Sequence, residues 1–170
     1  MIRNTDKVNP RRVRAPRIPE EVNRWCARFQ EECRRRRLRV TVQRLAVYRA
    51  LAGDTTHPTA DSLYAELRAA MIGLSLATVY RVLESLEREG FVCRVSSQDG
   101  VGRFDANLAQ HQHLICRSCG GITDLEDESL AQLKLPRLSL AQFTPEALDI
   151  RVIGICARCR PGTGKKSRTK

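Results

Sequence analysis

The sequence predicts an α+β fold: an N-terminal winged helix, built from a helix-turn-helix and a β-hairpin wing, followed by a small α/β domain closed by a four-cysteine site. Three observations predict it. Apolar residues recur at steps of three and four as far as Glu89, short strand-like runs with turn signals begin at Phe91, and two Cys-x-x-Cys pairs, Cys116/Cys119 and Cys156/Cys159, stand in the last third of the chain.

Residues 1–18 alternate Arg, Pro and Val without a sustained period and are expected to form a flexible basic arm. Over residues 20–37, Val22, Trp25, Cys26, Phe29 and Cys33 share one helical face opposite Glu and Arg, which predicts an amphipathic helix with Cys26 and Cys33 as buried thiols. Thr41 can cap a helix to about Ala52, with Leu45, Val47, Tyr48 and Leu51 as its apolar positions and Gly53-Asp54 as its stop. Residues 59–70 place Leu63, Tyr64 and Leu67 on one side until Gly73 breaks the pattern. Ser75 caps a third helix over 76–89, with Val79, Val82, Leu83 and Leu86 inward, Thr78, Tyr80, Arg81, Glu84, Glu87 and Arg88 mostly outward, and Gly90 as its end.

Runs 91–95 and 102–104 flank Asp99-Gly100, a strong hairpin turn signal, so they form the wing that completes a domain over 19–106. A second domain follows over 107–160. It has strands at 113–116 and 122–125, a helix start at 128–133 and a final strand at 148–155, before a basic tail over 161–170.

Charge and length restrict what such a chain can do. The net charge of +11 is uneven: residues 1–39 hold 13 Lys/Arg against 5 Asp/Glu and residues 160–170 hold 5 against none, while the middle is nearly neutral. Basic ends on a near-neutral body suit a polyanion, since each cation brought to a phosphate releases counterions. No apolar run reaches the ~18 residues of a membrane span, and Pro10, Pro16, Pro19 and scattered arginines stand where a signal peptide would need an apolar stretch. The expectation is a cytoplasmic protein with no membrane partner, in which seven reduced cysteines with paired spacing favour metal over disulfides.

Each Cys-x-x-Cys pair falls on a strand-to-turn knuckle, where two thiolates can face one ion. Cys116, Cys119, Cys156 and Cys159 together supply the four sulfurs of a closed tetrahedral zinc site, which stabilises folding and leaves no position open for catalysis. Just upstream, His111 and His113 are two residues apart and so face the same side of a strand. With Asp105 and Asp124 nearby, imidazole and oxygen donors suit a divalent iron, manganese or zinc ion. The third helix presents Ser75, Thr78, Tyr80 and Arg81 near its N-terminal half, groups that bond phosphates, while arginine can also bond guanine bidentately.

Over roughly residues 38–160 the chain resembles the ferric uptake regulator family. Thr41-Val-Gln43-Arg44 is similar to the family's Thr-Pro-Gln-Arg, His57-Pro-Thr-Ala-Asp61-Ser-Leu-Tyr64 to its next helix, and Ser75-Leu-Ala-Thr78-Val-Tyr80-Arg81 to its DNA-reading helix. His111-Gln-His113-Leu-Ile-Cys116 and the closing Cys156/Cys159 pair complete the set. The resemblance implies a homodimeric, metal-dependent repressor gripping a double-stranded DNA operator, with residues 107–160 as the dimerisation domain and Gln43 and Arg44 joining the DNA-contacting set. In the family's peroxide-sensing branch the regulatory metal, Fe(II) or Mn(II), has three histidine and two aspartate ligands, which match His57, Asp105, His111, His113 and Asp124 here. His57 and His111 then match the histidines oxidised by peroxide.

The aspartates at 105 and 124 favour that branch over an iron- or zinc-uptake repressor of the same family. Departures from the pattern are Val42 in place of proline, Pro136 inside what is commonly one helix, and Glu146, Ala147 and Leu148 where a histidine of a second regulatory site often stands. Two readings of other classes compete. A metalloenzyme built on His111 and His113 lacks an obvious general base beside them, so no enzymatic activity is expected. A zinc-ribbon adaptor would bind nucleic acid through its tails alone.

Overall fold

The structure, a computed structural model, describes residues 17–96, 100–133, 143–144 and 148–161. The expected arm over 1–16, the tail over 162–170, Asp99, Pro136, Glu146 and Ala147 lie outside the described residues. Among the described residues, five helices and five strands follow one another as α1 (Pro19–Arg35), α2 (Val42–Gly53), α3 (Ala60–Leu67), α4 (Leu76–Arg88), β1 (Cys93–Ser96), β2 (Gly102–Asp105), β3 (Gln112–Cys116), β4 (Ile122–Leu125), α5 (Glu128–Ala131) and β5 (Arg151–Gly154). They fall into two compact units, one ending at Ala109 and the other beginning at Gln110.

The first unit is a winged helix. Val22, Cys26, Phe29 and Cys33 form the buried stripe of α1, and they join Val47, Leu51, Leu63, Val79, Leu83, Leu86 and Phe104 in one core. Each of the Val, Leu and Phe side chains contributes roughly 1.5–3 kcal/mol by leaving water. Phe29 stacks on Tyr48 at 4.2 Å between ring centroids and meets the edge of Phe91 at 4.8 Å. The expected caps at Thr41 and Ser75 form, accepting the backbone N–H of Arg44 and Thr78, and Thr59 caps α3 in the same way by accepting that of Ser62.

The ends of α1 and α4 share one geometry. Leu38 N–H donates to Cys33 O and Arg37 N–H to Arg34 O, as Phe91 does to Leu86 and Gly90 to Glu87. The left-handed residue is Gly90 in one case (φ 71°) and Arg37 in the other (φ 58°). Arg17, placed by the sequence in the flexible arm, is packed: its guanidinium donates to Ala52 O and lies over the Trp25 ring.

Arg44 departs from its expected place on a DNA-contacting surface. It is 8% exposed, its guanidinium forms an ion pair with Glu89 and donates to Ser85 Oγ, and the Ser85 hydroxyl donates to Glu89 in turn. The physical reason is helix phase: as the third residue of α2, Arg44 faces α4, whereas Gln43 beside it faces solvent. The Arg44 hydrogen bond holds the Glu89 carboxyl below the usual carboxylate range, against burial. Arg44→Ala would strand a half-buried carboxylate and is expected to cost about 2–4 kcal/mol of stability. The pair stabilises fully above the unfolded glutamate pKa of about 4.3 and loses that contribution as pH falls through the lower folded value. Denaturant titrations at falling pH should therefore show a shallower acid loss in Arg44→Ala than in the wild type.

In the wing, β1 and β2 pair antiparallel with Cys93 opposite Asp105. Phe104 N–H donates to Pro58 O at 3.1 Å and Thr59 bridges Arg103, which ties the loop before α3 to β2.

Among its described residues the second unit holds a three-stranded sheet of order β4-β3-β5. β3 runs antiparallel to β4 and parallel to β5. The expected helix start shortens to the single turn of α5, capped by Asp127, and the final strand pairs over Arg151–Gly154 rather than 148–155. Among the described residues no helix is long and apolar enough to cross a membrane.

Candidate metal centres and nucleic-acid face

The sheet register assembles the sulfur cluster. β3 ends at Cys116, where Gly120 N–H donates to Cys116 O and Cys116 N–H to Gly121 O, folding the first pair into a tight knuckle. Gly120 takes φ 66° there, and a Cβ on Gly121 would stand 3.3 Å from Cys119 Sγ. Parallel pairing with β5 carries the chain past Gly154 into the second knuckle, where Cys159 N–H and Arg160 N–H both donate to Cys156 O.

The four sulfurs lie within 4.8 Å of one another, with Cys119 and Cys156 3.9 Å apart. The Cys156 N–H donates to Cys116 Sγ at 3.3 Å. That bond and its neighbours bring the Cys116 thiol down to about 6. Against a Ser118 hydrogen bond that favours its thiolate, the crowding of Cys156 and Cys119 pushes Cys159 up to about 11. One cation would relieve that crowding, and four thiolates at this spacing fit tetrahedral zinc.

The second unit also gathers imidazole and carboxylate. Antiparallel pairing sets His113 opposite Asp124, which is 1% exposed. His111 Nε2 lies 3.0 Å from His113 Nε2 and 3.6 Å from Asp124 Oδ1. Donor atoms of three side chains thus converge, an arrangement suited to a divalent ion. Between the two histidines, Gln112 accepts the Asp127 N–H through Oε1, which ties β3 to the start of α5.

Within the first unit, His57 and Asp105 meet: His57 Nε2 lies 3.4 Å from Asp105 Oδ2. The other carboxylate oxygen accepts the Asn107 N–H at 2.7 Å, so the aspartate is oriented. His57 is 2% exposed and holds φ 58° immediately before Pro58, a conformation costing about 1–3 kcal/mol that concentrates at functional positions. The wing holds it there, through Phe104 to Pro58 O and Arg103 to His57 O.

On the outer face of α4, Ser75 and Thr78 hydroxyls bond each other at 2.9 Å, and Arg81 lies back along the helix toward Thr78 Oγ1 and Ala77 O. Tyr80 is 42% exposed and its hydroxyl donates to Asp61 Oδ2 at 3.0 Å. Sequence reasoning missed three partners: Glu89 for Arg44, Asp61 for Tyr80 and Arg103 for the His57 carbonyl. No local signal announces pairs 45, 19 and 46 residues apart.

A winged helix followed by a mixed sheet with a four-thiolate cluster defines a metal-binding protein of the winged-helix regulator type. The family model described as the ferric uptake regulator family matches residues 35–153. The peroxide-responsive repressor PerR of Staphylococcus aureus (strain Mu50) is 32% identical over 123 residues, 72% of this chain and 83% of that protein. The Helicobacter pylori ferric uptake regulator Fur shares the fold, with a TM-score of 0.68 at 22% identity over 86% of this chain and 96% of that chain. A zinc uptake regulator complexed with zinc and DNA matches with a TM-score of 0.60 at 25% identity over 81% of this chain and 94% of that chain. This chain belongs to the ferric uptake regulator family.

Proposed function

We propose that the chain is a cytoplasmic, homodimeric, metal-dependent repressor that binds double-stranded operator DNA and responds to peroxide. The observation that carries the reading is the pair of half-sites: His57 against Asp105 in the winged helix, and His111, His113 and Asp124 in the sheet unit. One divalent ion shared by both halves would couple the units, and a state it stabilises is the state that grips DNA. Cys116, Cys119, Cys156 and Cys159 hold structural zinc. Gln43, Ser75, Thr78, Tyr80 and Arg81 face the DNA, and Arg44 supports them from inside. Exposed Val152 and Ile153 on β5 suit contact with a second copy of the chain.

The 32% identity to the peroxide-responsive repressor and the aspartates at 105 and 124 support Fe(II) or Mn(II) as the regulatory metal. Bound Fe(II) would supply the redox chemistry by which peroxide oxidises an adjacent imidazole. His57 and His111 are the receiving side chains, and oxidation of either removes a donor and with it the coupling between units.

The test loads the protein with Mn(II) or Fe(II) without oxygen, adds a modest excess of peroxide, and follows release from a duplex selected out of a random library together with peptide mass. The iron form alone should release DNA and gain the mass of an oxygen atom at the His57 or His111 peptide. Binding that tracks metal concentration with no oxidation would instead make it an iron- or zinc-uptake repressor, a reading that likeness to the zinc- and DNA-bound regulator keeps in play. Arg81→Ala should weaken binding to the selected duplex by about 1–3 kcal/mol while leaving metal uptake unchanged, which filter binding and metal titration measure side by side.

A further inference from the structure

We infer that Asp61 is a positioning residue for Tyr80: it engages the only proton of the phenol, so that Tyr80 meets the DNA as a hydrogen-bond acceptor and selects a base bearing an exocyclic amino group. The inference rests on the DNA-binding reading above. Tyr80 is an exposed aromatic on the outward face of α4, next to Arg81, and its hydroxyl donates to Asp61 Oδ2 at 3.0 Å. Asp61 belongs to the first turn of α3, behind the Thr59 cap, where a carboxylate is favoured by the helix dipole.

A phenol has one proton to donate and two lone pairs that accept. Giving the proton to a carboxylate makes a charge-assisted bond, stronger than one to a neutral acceptor. What Tyr80 then offers outward is acceptor capacity and a ring edge. Phosphate oxygens are acceptors only, so the phenol cannot bond them while it holds Asp61, and the Asp61 charge repels them as well. In the major groove the complementary donors are adenine N6 and cytosine N4. The bond also fixes the phenol before DNA arrives, which lowers the ordering cost of the contact.

Selection from a random duplex library by the full-length, Mn(II)-loaded protein tests this, with Asp61→Ala, Asp61→Asn, Tyr80→Phe and the Asp61→Ala/Tyr80→Phe double variant run beside the wild type. The wild type should prefer adenine or cytosine at one position under each recognition helix. Asp61→Ala and Tyr80→Phe should each lose about fivefold to tenfold of that preference at the same position. The double variant should lose no more than Tyr80→Phe, and Asp61→Asn, whose amide oxygen still accepts the phenol proton, should keep it.

All four variants change exposed side chains, so each should stay folded, with at most the small loss of the Asp61 charge at the start of α3. An Asp61→Ala profile identical to the wild type, or a uniform change in affinity with no change in base preference, would overturn the inference and leave the regulator reading standing. A wild type that selects no sequence at all would overturn the regulator reading itself.

Discussion

Cys119→Ser is expected to lose the structural zinc and several kcal/mol of stability. The sheet of the second unit has three strands and one helical turn among its described residues, and small folds commonly draw on metal for their stability. The cluster ties the end of β3 to the end of β5, closing a loop of 36 residues between the two knuckles. Losing one thiolate opens both ends of that loop at once. Metal content per chain and chemical denaturation, read on the same samples, check the prediction: less than one zinc per chain and an early transition are expected. A Cys119→Ser protein that keeps one zinc per chain and the wild-type transition would show that the cluster is not the structural site.

His113→Ala is expected to lower metal-dependent DNA affinity about 100-fold while the chain stays folded, a loss at the upper end of typical coupling between sites. His113 stands opposite Asp124 and 3.0 Å from His111, so its removal takes one imidazole from the sheet unit's donor group. The backbone ladder of β3 does not depend on that ring: its bonds to β4 and β5 are made by the main chain. The zinc cluster begins three residues later and keeps all four sulfurs. Zinc content and the unfolding transition should therefore stay near wild type, while the response of DNA binding to added Mn(II) disappears. Retention of that response would remove His113 from the regulatory site.

Much of the fold is legible in the sequence because its signals are local. The stripe of Val22, Cys26, Phe29 and Cys33 writes α1, the hydroxyls of Thr41, Thr59 and Ser75 write the starts of α2, α3 and α4, and Gly90 writes a stop. The sulfur cluster is legible for a related reason: Cys-x-x-Cys is a local motif, and the two strands that carry the pairs bring them together. What escapes is whatever depends on helix phase and on contacts far apart in the chain. Thr41-Val-Gln43-Arg44 places two polar residues side by side, and only the packing of α2 on α4 sends Gln43 outward and Arg44 to Glu89. Arg37 adopts a left-handed conformation in a position where glycine would announce itself. His57 is legible only through the family resemblance of its motif, because its strained backbone and its place beside Asp105 come from contacts far apart in the chain.

The central claim is that one divalent ion, held by donors from both units, governs DNA binding. The most direct measurement is the affinity of the zinc-replete protein for its selected duplex as Mn(II) is titrated, for the wild type and for His57→Ala and Asp124→Ala, which remove one donor from each unit. The account predicts that affinity rises steeply with Mn(II) in the wild type and stays low and flat in both variants. A variant from either unit that keeps the wild-type rise would contradict it, because the ion would then be held by one unit alone.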